Sequence, residues 1–133
     1  MAFTMSKTLN NGVEIPVLGL GVFESASATR DAVRFALETG YRHIDTAKFY
    51  GNEQDVFQGI VDSNIPRKEV FVTTKIWNDD MRAHNQREVI EQSIENLGGD
   101  YIDMLLIRLK MFLLKLGKLW KNITKKVVSE QSV

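Results

Sequence analysis

The sequence predicts an α/β fold built on a parallel sheet, and three observations carry that prediction. Apolar, β-branched runs alternate with amphipathic stretches at a repeat of roughly 30 residues. Gly or Pro marks most changes of pattern. The composition, 44% hydrophobic and 26% charged over 133 residues, is that of one globular domain.

The elements follow in order. Thr8 to Ile15 reads as a hairpin with Asn11-Gly12 at its turn, because that pair accepts the positive φ of a tight hairpin. Pro16 to Phe23 is an apolar run expected to form a buried strand that ends in a loop. Ser25 or Ser27 is placed to cap the helix that follows. Its expected buried stripe is Ala28, Ala32, Phe35 and Ala36, and Gly40 stops it. Tyr41 to Ala47 is the next strand. A helix from about Glu53 presents Val56, Phe57, Ile60 and Val61, with Pro66 closing the loop after it. Glu69 to Ile76 is a β-branched strand. Asn85 to Leu97 is helical, with Ile90, Ile94 and Leu97 inward and Gly98-Gly99 ending it, and Tyr101 to Ile107 is a fourth strand.

Parallel strands need helices over at least one face. These units therefore fit a doubly wound sheet or a (β/α) barrel. No Gly-x-Gly-x-x-Gly joins a strand to a helix, so the dinucleotide fingerprint of the doubly wound class is missing. A full barrel takes ~250 residues, and about half of that is here.

Composition also excludes function classes. Lys+Arg is 17 and Asp+Glu is 17, so bulk charge gives no reason to expect a nucleic-acid partner. There is no cysteine for a disulfide scaffold or thiol catalysis. No apolar run reaches the ~18 residues of a membrane span. Met1 to Asn10 lacks the apolar core of a secretory signal, and a cytoplasmic location is expected.

Reactive residues of (β/α) folds gather at the carboxyl ends of strands. Asp45 and Lys75 stand at such ends, and Tyr50 lies on the loop just past Asp45. An Asp that holds a Lys beside a Tyr places a cation near the phenolic hydroxyl, which favours the phenolate. Such a Tyr can protonate a carbonyl oxygen while hydride arrives at carbon. The plainer alternative is an Asp that caps a loop or pairs with a base. Trp77 could line a pocket or serve packing. His43 alternates away from Asp45's neighbours and reads as structural. His84 sits in a polar loop, Asp79-Asp80 reads as a solvated turn, and two lone histidines give no metal site.

Gly40-Tyr-Arg-His-Ile-Asp-Thr-Ala47 followed by Tyr50-Gly-Asn-Glu53 is very similar to a signature of the aldo-keto reductases. Pro16-Val-Leu-Gly-Leu-Gly-Val-Phe23, Val70-Phe-Val-Thr-Thr-Lys-Ile-Trp77 and Asp100-Tyr-Ile-Asp-Met-Leu-Leu-Ile107 resemble that family's neighbouring strands. The resemblance runs from about Thr8 to Ile107. It implies the N-terminal half of a (β/α)8 TIM barrel, about four βα units after a short hairpin. It also implies an oxidoreductase that reduces aldehydes and ketones with NADPH. Carried over residue by residue, Tyr50 is the general acid, with Lys75 and Asp45 as its partners. Gly21, Val22 and Asp45 match positions near the nicotinamide, and Phe23 and Trp77 match pocket-lining aromatics.

The sequence also departs from the pattern. Arg108-Leu-Lys110 stands where the family has His-Trp-Pro, so the family's active-site histidine has no counterpart. Phe57 occupies a usual glycine position and is expected to crowd the second helix. The resemblance covers only the first half of the family's barrel, and most of the NADPH site lies in the other half. This chain is therefore expected to have little or no activity of its own. Four strands cannot close a barrel, and the exposed sheet edges would favour self-association.

Residues 1–107 thus form the family-like portion and residues 108–133 a separate tail. From Met104 to Ser129 there is no acid, while Arg108, Lys110, Lys115, Lys118, Lys121, Lys125 and Lys126 fall there. Leu109, Phe112, Leu113, Leu116, Trp120, Ile123 and Val127 have helical spacing, which predicts a basic amphipathic helix suited to a membrane surface or a partner groove. Read one base out of frame, back-translated codons from Leu119 to Val133 can encode a helix and strand similar to those that follow in the family. The tail is therefore expected to be out-of-frame coding sequence without a selected function. An unshifted reading frame in related DNA would overturn that expectation.

Overall fold

The structure, a computed structural model, describes residues 5–108. The expected tail helix lies outside the described residues.

The chain opens with a hairpin of β1 (Ser6–Thr8) and β2 (Glu14–Pro16), antiparallel, with Thr8 opposite Glu14. Its turn is the Asn-Gly pair: Gly12 has φ +83°, and the Asn11 side chain accepts the Val13 N–H at 3.2 Å. The main sheet contains β3 (Leu20–Gly21), β4 (His43–Asp45), β5 (Phe71–Ile76) and β6 (Met104–Ile107), parallel and in sequence order. Helices α1 (Thr29–Glu38), α2 (Glu53–Asp62) and α4 (Gln86–Asn96) supply the crossovers, with a short α3 (Asn78–Arg82) before α4. This is a parallel α/β sheet with β3 and β6 at the edges of its described part.

Side chains alternate across the pleat. One set, Ile44 and Val72 with Leu20 packed against them, joins Val33, Leu37, Val56, Ile60 and Leu97 in the core beneath the helices. The other set brings His43, Asp45, Thr73 and Lys75 to the opposite face. Alternation therefore sends the chemistry to one side of the sheet and the hydrophobic core to the other. Gly59 lets α1 and α2 meet: a Cβ there would lie 2.6 Å from the Arg30 carbonyl oxygen and 2.8 Å from Val33 Cβ.

Several expectations need correction. The strand after Pro16 shrinks to Leu20–Gly21, because Val17, Leu18 and Phe23 are exposed while Val22 alone of that run is fully buried. Neither Ser25 nor Ser27 caps α1 in the usual way. A turn of 3-10 helix (Ala26–Ala28) leads into it, and the Ser25 hydroxyl bonds instead to the Val22 carbonyl at 2.8 Å and Thr29 Oγ1 at 2.6 Å. The buried stripe of α1 is Thr29, Val33, Ala36 and Leu37, leaving Phe35 in solvent. On α2, Val61 is exposed and Gly59 is buried. On α4, Val89 and Ser93 are buried and Ile90 and Ile94 only half-buried. Asp79 and Asp80 begin α3 rather than a turn, and the Asp80 carboxylate accepts the Trp77 N–H at 3.3 Å. Phe57 leaves α2 regular, since its ring lies over Gly98 at the end of α4, where a Cβ would sit 2.6 Å from Phe57 Cε2.

Candidate active site

The register places Asp45 opposite Thr73, so Lys75 is two residues further along β5 and on the same face. Its side chain reaches back across the strand gap. Lys75 Nζ donates to Asp45 Oδ2 at 2.6 Å and to the Thr46 carbonyl at 3.0 Å. The ammonium end is well covered, with the Lys75 side chain 16% exposed against 37% for Asp45. Tyr50 closes a 3-10 turn (Lys48–Tyr50) just beyond β4, and its ring centroid lies 5.3 Å from Lys75 Nζ. Asp45, Tyr50 and Lys75 therefore converge as expected from their strand-end positions.

Aromatic rings border this cluster. Phe23 packs against Tyr50 with centroids 5.0 Å apart, and Phe49 stacks on Trp77 at 4.6 Å. The Arg108 guanidinium lies over the Trp77 ring, 4.4 Å from its centroid, at the strand end where the family pattern has histidine. Gly21 pairs with Asp45, and the space a Cβ would take there is open for 4 Å. Val22 is different: its side chain is buried in the core, its N–H donates to the Asp45 carbonyl at 3.1 Å, and its carbonyl is taken by Ser25 and Asn52. Gly21 is thus placed on the open side of the sheet, and Val22 beneath it.

His43 stands two residues before Asp45 on the same face, which corrects the alternation argument while keeping its structural role. Nε2 lies 2.9 Å from Thr73 Oγ1, Nδ1 lies 3.3 Å from the Pro16 carbonyl, and the ring meets Phe71 edge-on at 5.2 Å. Gly19 makes room for it, because a Cβ would lie 2.9 Å from Nδ1. His84 lies exposed between α3 and α4.

Two buried polar residues were not singled out from sequence. Asn52 is 4% exposed. Its amide donates to the Val22 carbonyl at 2.8 Å and Thr29 Oγ1 at 3.2 Å, and its oxygen accepts from Thr46 Oγ1 at 2.8 Å. It thereby ties the β3 loop, the start of α1 and the end of β4 together, two residues beyond Tyr50. Glu53 is 2% exposed, accepting from Thr74 Oγ1 at 2.6 Å and Asn96 Nδ2 at 3.1 Å. The available signal was the Asn-Glu pair that ends the Tyr50 motif, polar residues placed before an apolar helical face.

The Aldo/keto reductase family model matches residues 17–129. The chain belongs to the aldo/keto reductase family. Among curated reductases it is 52% identical over 102 residues to the 9,11-endoperoxide prostaglandin H2 reductase of Trypanosoma cruzi, covering 75% of this chain and 36% of that protein. It is 45% identical over 101 residues to the glyoxal reductase of Bacillus subtilis, covering 74% and 37%. A solved aldo-keto reductase from a Medee basin deep-sea metagenome library superposes with TM-score 0.81 at 45% identity, over 96% of this chain and 46% of that one. The Bombyx mori aldo-keto reductase in complex with NADP gives TM-score 0.69 at 42% identity, over 77% and 37%. The chain thus spans about a third of the curated reductases named here, and its parallel sheet is part of the family's TIM barrel. No helix among the described residues is long and apolar enough to cross a membrane.

Proposed function

We propose that the cluster at the ends of β4 and β5 is the proton-transfer side of a carbonyl-reducing site, acting on small aldehydes and ketones. The observation that carries this reading is Lys75, whose Nζ lies 2.6 Å from Asp45 and 5.3 Å from the Tyr50 ring. Tyr50 donates its hydroxyl proton to the carbonyl oxygen as negative charge develops there. Lys75 stabilises the phenolate left behind, and the phenolate takes a proton back from solvent. Asp45 and the Thr46 carbonyl hold the ammonium in place. Phe23 and Trp77 border the substrate side.

NADPH, when bound, supplies the hydride. The open side of Gly21 beside Asp45 fits the approach of a flat ring, and these two residues would hold the nicotinamide end. The described residues fit that end alone. Hydride transfer requires a positioned donor, so this chain by itself has little or no turnover in our reading. A cytoplasmic setting accompanies it.

The experiment is an NADPH oxidation assay of the purified chain with a generic aldehyde, alone and mixed with the remaining barrel half of the Bacillus subtilis glyoxal reductase. We expect no turnover alone and restored turnover in the mixture, lost in Tyr50→Phe and Lys75→Met. Turnover by the chain alone that Tyr50→Phe abolishes contradicts the inactivity. Restored turnover that survives Tyr50→Phe contradicts the assigned acid.

A second reading, self-association, is favoured by the outer edges that β3 and β6 present among the described residues. Sedimentation checks it: a discrete dimer supports edge pairing and a monomer refutes it.

A further inference from the structure

We infer that Glu53 is a positioning residue for the reaction proposed above: its buried carboxylate sets the distance between Lys75 and Tyr50. The inference rests on that reading for its meaning, but the geometry behind it is independent of turnover.

Glu53 is 2% exposed, and no cation among the described residues forms an ion pair with it. A carboxylate taken out of water without a counter-charge is costly unless hydrogen-bond donors surround it. Two donors, one from β5 and one from α4, and the start of its own helix surround it. Glu53 is the first residue of α2, so its charge lies at the positive end of that helix. Thr74 Oγ1 of β5 donates to Oε1 at 2.6 Å, and Asn96 Nδ2 of α4 donates to Oε2 at 3.1 Å. Asn96 is held in turn by Gln54 at 3.3 Å and Gln92 at 3.4 Å, both donating to its oxygen.

The two chain neighbours of this cluster are the reacting pair. Thr74 immediately precedes Lys75, and in a strand its side chain points to the opposite face. Glu53 follows Tyr50 by three residues, with Gly51 at φ +67° and the buried Asn52 between them. One carboxylate therefore pins the strand that carries the ammonium to the helix start that follows the Tyr50 turn, from behind the sheet. A hydrophobic residue could fill the same volume. It would leave Thr74 Oγ1 without an acceptor and would let β5 and the Tyr50 turn shift independently.

The test reads the Lys75–Tyr50 contact itself. The Lys75 ε-methylene adjoins Nζ, which lies over the Tyr50 ring at 5.3 Å from its centroid, so its protons are expected to carry a ring-current displacement in the NMR spectrum. Lys75→Met assigns them, and Tyr50→Leu shows that the displacement originates in the ring. Glu53→Ala is expected to abolish more than half of the displacement, and Glu53→Gln, which keeps an acceptor for Thr74, to retain most of it. Val33→Ala, a core truncation of comparable destabilisation away from this cluster, is expected to leave it unchanged. Should Glu53→Ala fail to fold, Thr74→Val removes the same strand-side bond with little change of shape and is read in the same way. The inference is overturned if Lys75 keeps its displacement without the carboxylate or the Thr74 hydroxyl, or if Val33→Ala moves it equally. A failed complementation assay with intact NMR coupling would count against the proposed reaction and leave the positioning in place.

Discussion

Lys75 and Asp45 lie 30 positions apart in sequence and two residues out of register in the sheet, yet their charged groups meet at 2.6 Å. Lysine is long enough to reach back diagonally across one strand gap. That reach turns two strand-end residues into a charge pair with its cation directed at the Tyr50 ring.

Asp45→Ala leaves the Lys75 ammonium with the Thr46 carbonyl. The expected cost is about 1–3 kcal/mol, toward the low end because Asp45 is partly open to water. Urea unfolding of Asp45→Ala, Lys75→Met and the double variant measures it. The two costs are expected to be less than additive, and strict additivity would show that the pair contributes no coupling.

Asn52→Ala should be among the more damaging polar substitutions. It strands the Thr46 hydroxyl and removes a donor from the Val22 carbonyl, both buried. A loss of about 2–3 kcal/mol is expected. A change below about 0.5 kcal/mol, the ordinary surface range, would mean that the network does not hold the β3 loop.

Gly98→Ala meets two obstacles. The residue has φ +111°, and the new Cβ would press into Phe57 at 2.6 Å. A cost of about 1–3 kcal/mol is expected from the backbone conformation alone. Phe57→Ala made in addition should recover the steric share and not the backbone share. If the double variant is no better than the sum of the singles, Phe57 does not oppose the added methyl.

Arg30 and Asp62 join α1 to α2 through bonds of 2.5 and 3.0 Å. The Arg30 hydrogen bond holds the Asp62 carboxyl below its ordinary value of 3.8. The folded state therefore binds fewer protons than the unfolded chain in that range. The contribution is complete above about pH 3.8 and disappears as pH falls through the lower folded value. Urea midpoints followed from pH 5 to pH 2 should fall less steeply in Asp62→Asn than in the parent. Equal slopes would show that the carboxylate carries no linkage.

Much of the site was legible because its signals are local. Asp45 and Lys75 announced themselves as polar residues closing apolar strands, and Tyr50 as the aromatic just beyond one of them. Asn52 and Glu53 belong to the same motif, but nothing local in it assigns them a role. Their partners, Val22, Thr29, Thr74 and Asn96, are 21 to 43 positions away. A polar residue at a helix start looks solvated until the elements that enclose it are known. The helical stripes show the same limit: α1 was expected to bury Phe35, and it buries Thr29 and Val33 instead because α2 approaches through Gly59.

By itself the sequence determined the alternation of the strands with α1, α2 and α4, the hairpin turn at Asn11-Gly12, the helix stops at Gly40 and Gly98, and the family. Each depends on backbone preferences and spacings that act within a few residues. The tertiary structure alone decided which face each helix buries, how far Lys75 reaches, and that a carboxylate with no paired cation among the described residues stands behind the site. Those outcomes depend on strand register and on distances across the sheet, and local propensities do not specify them.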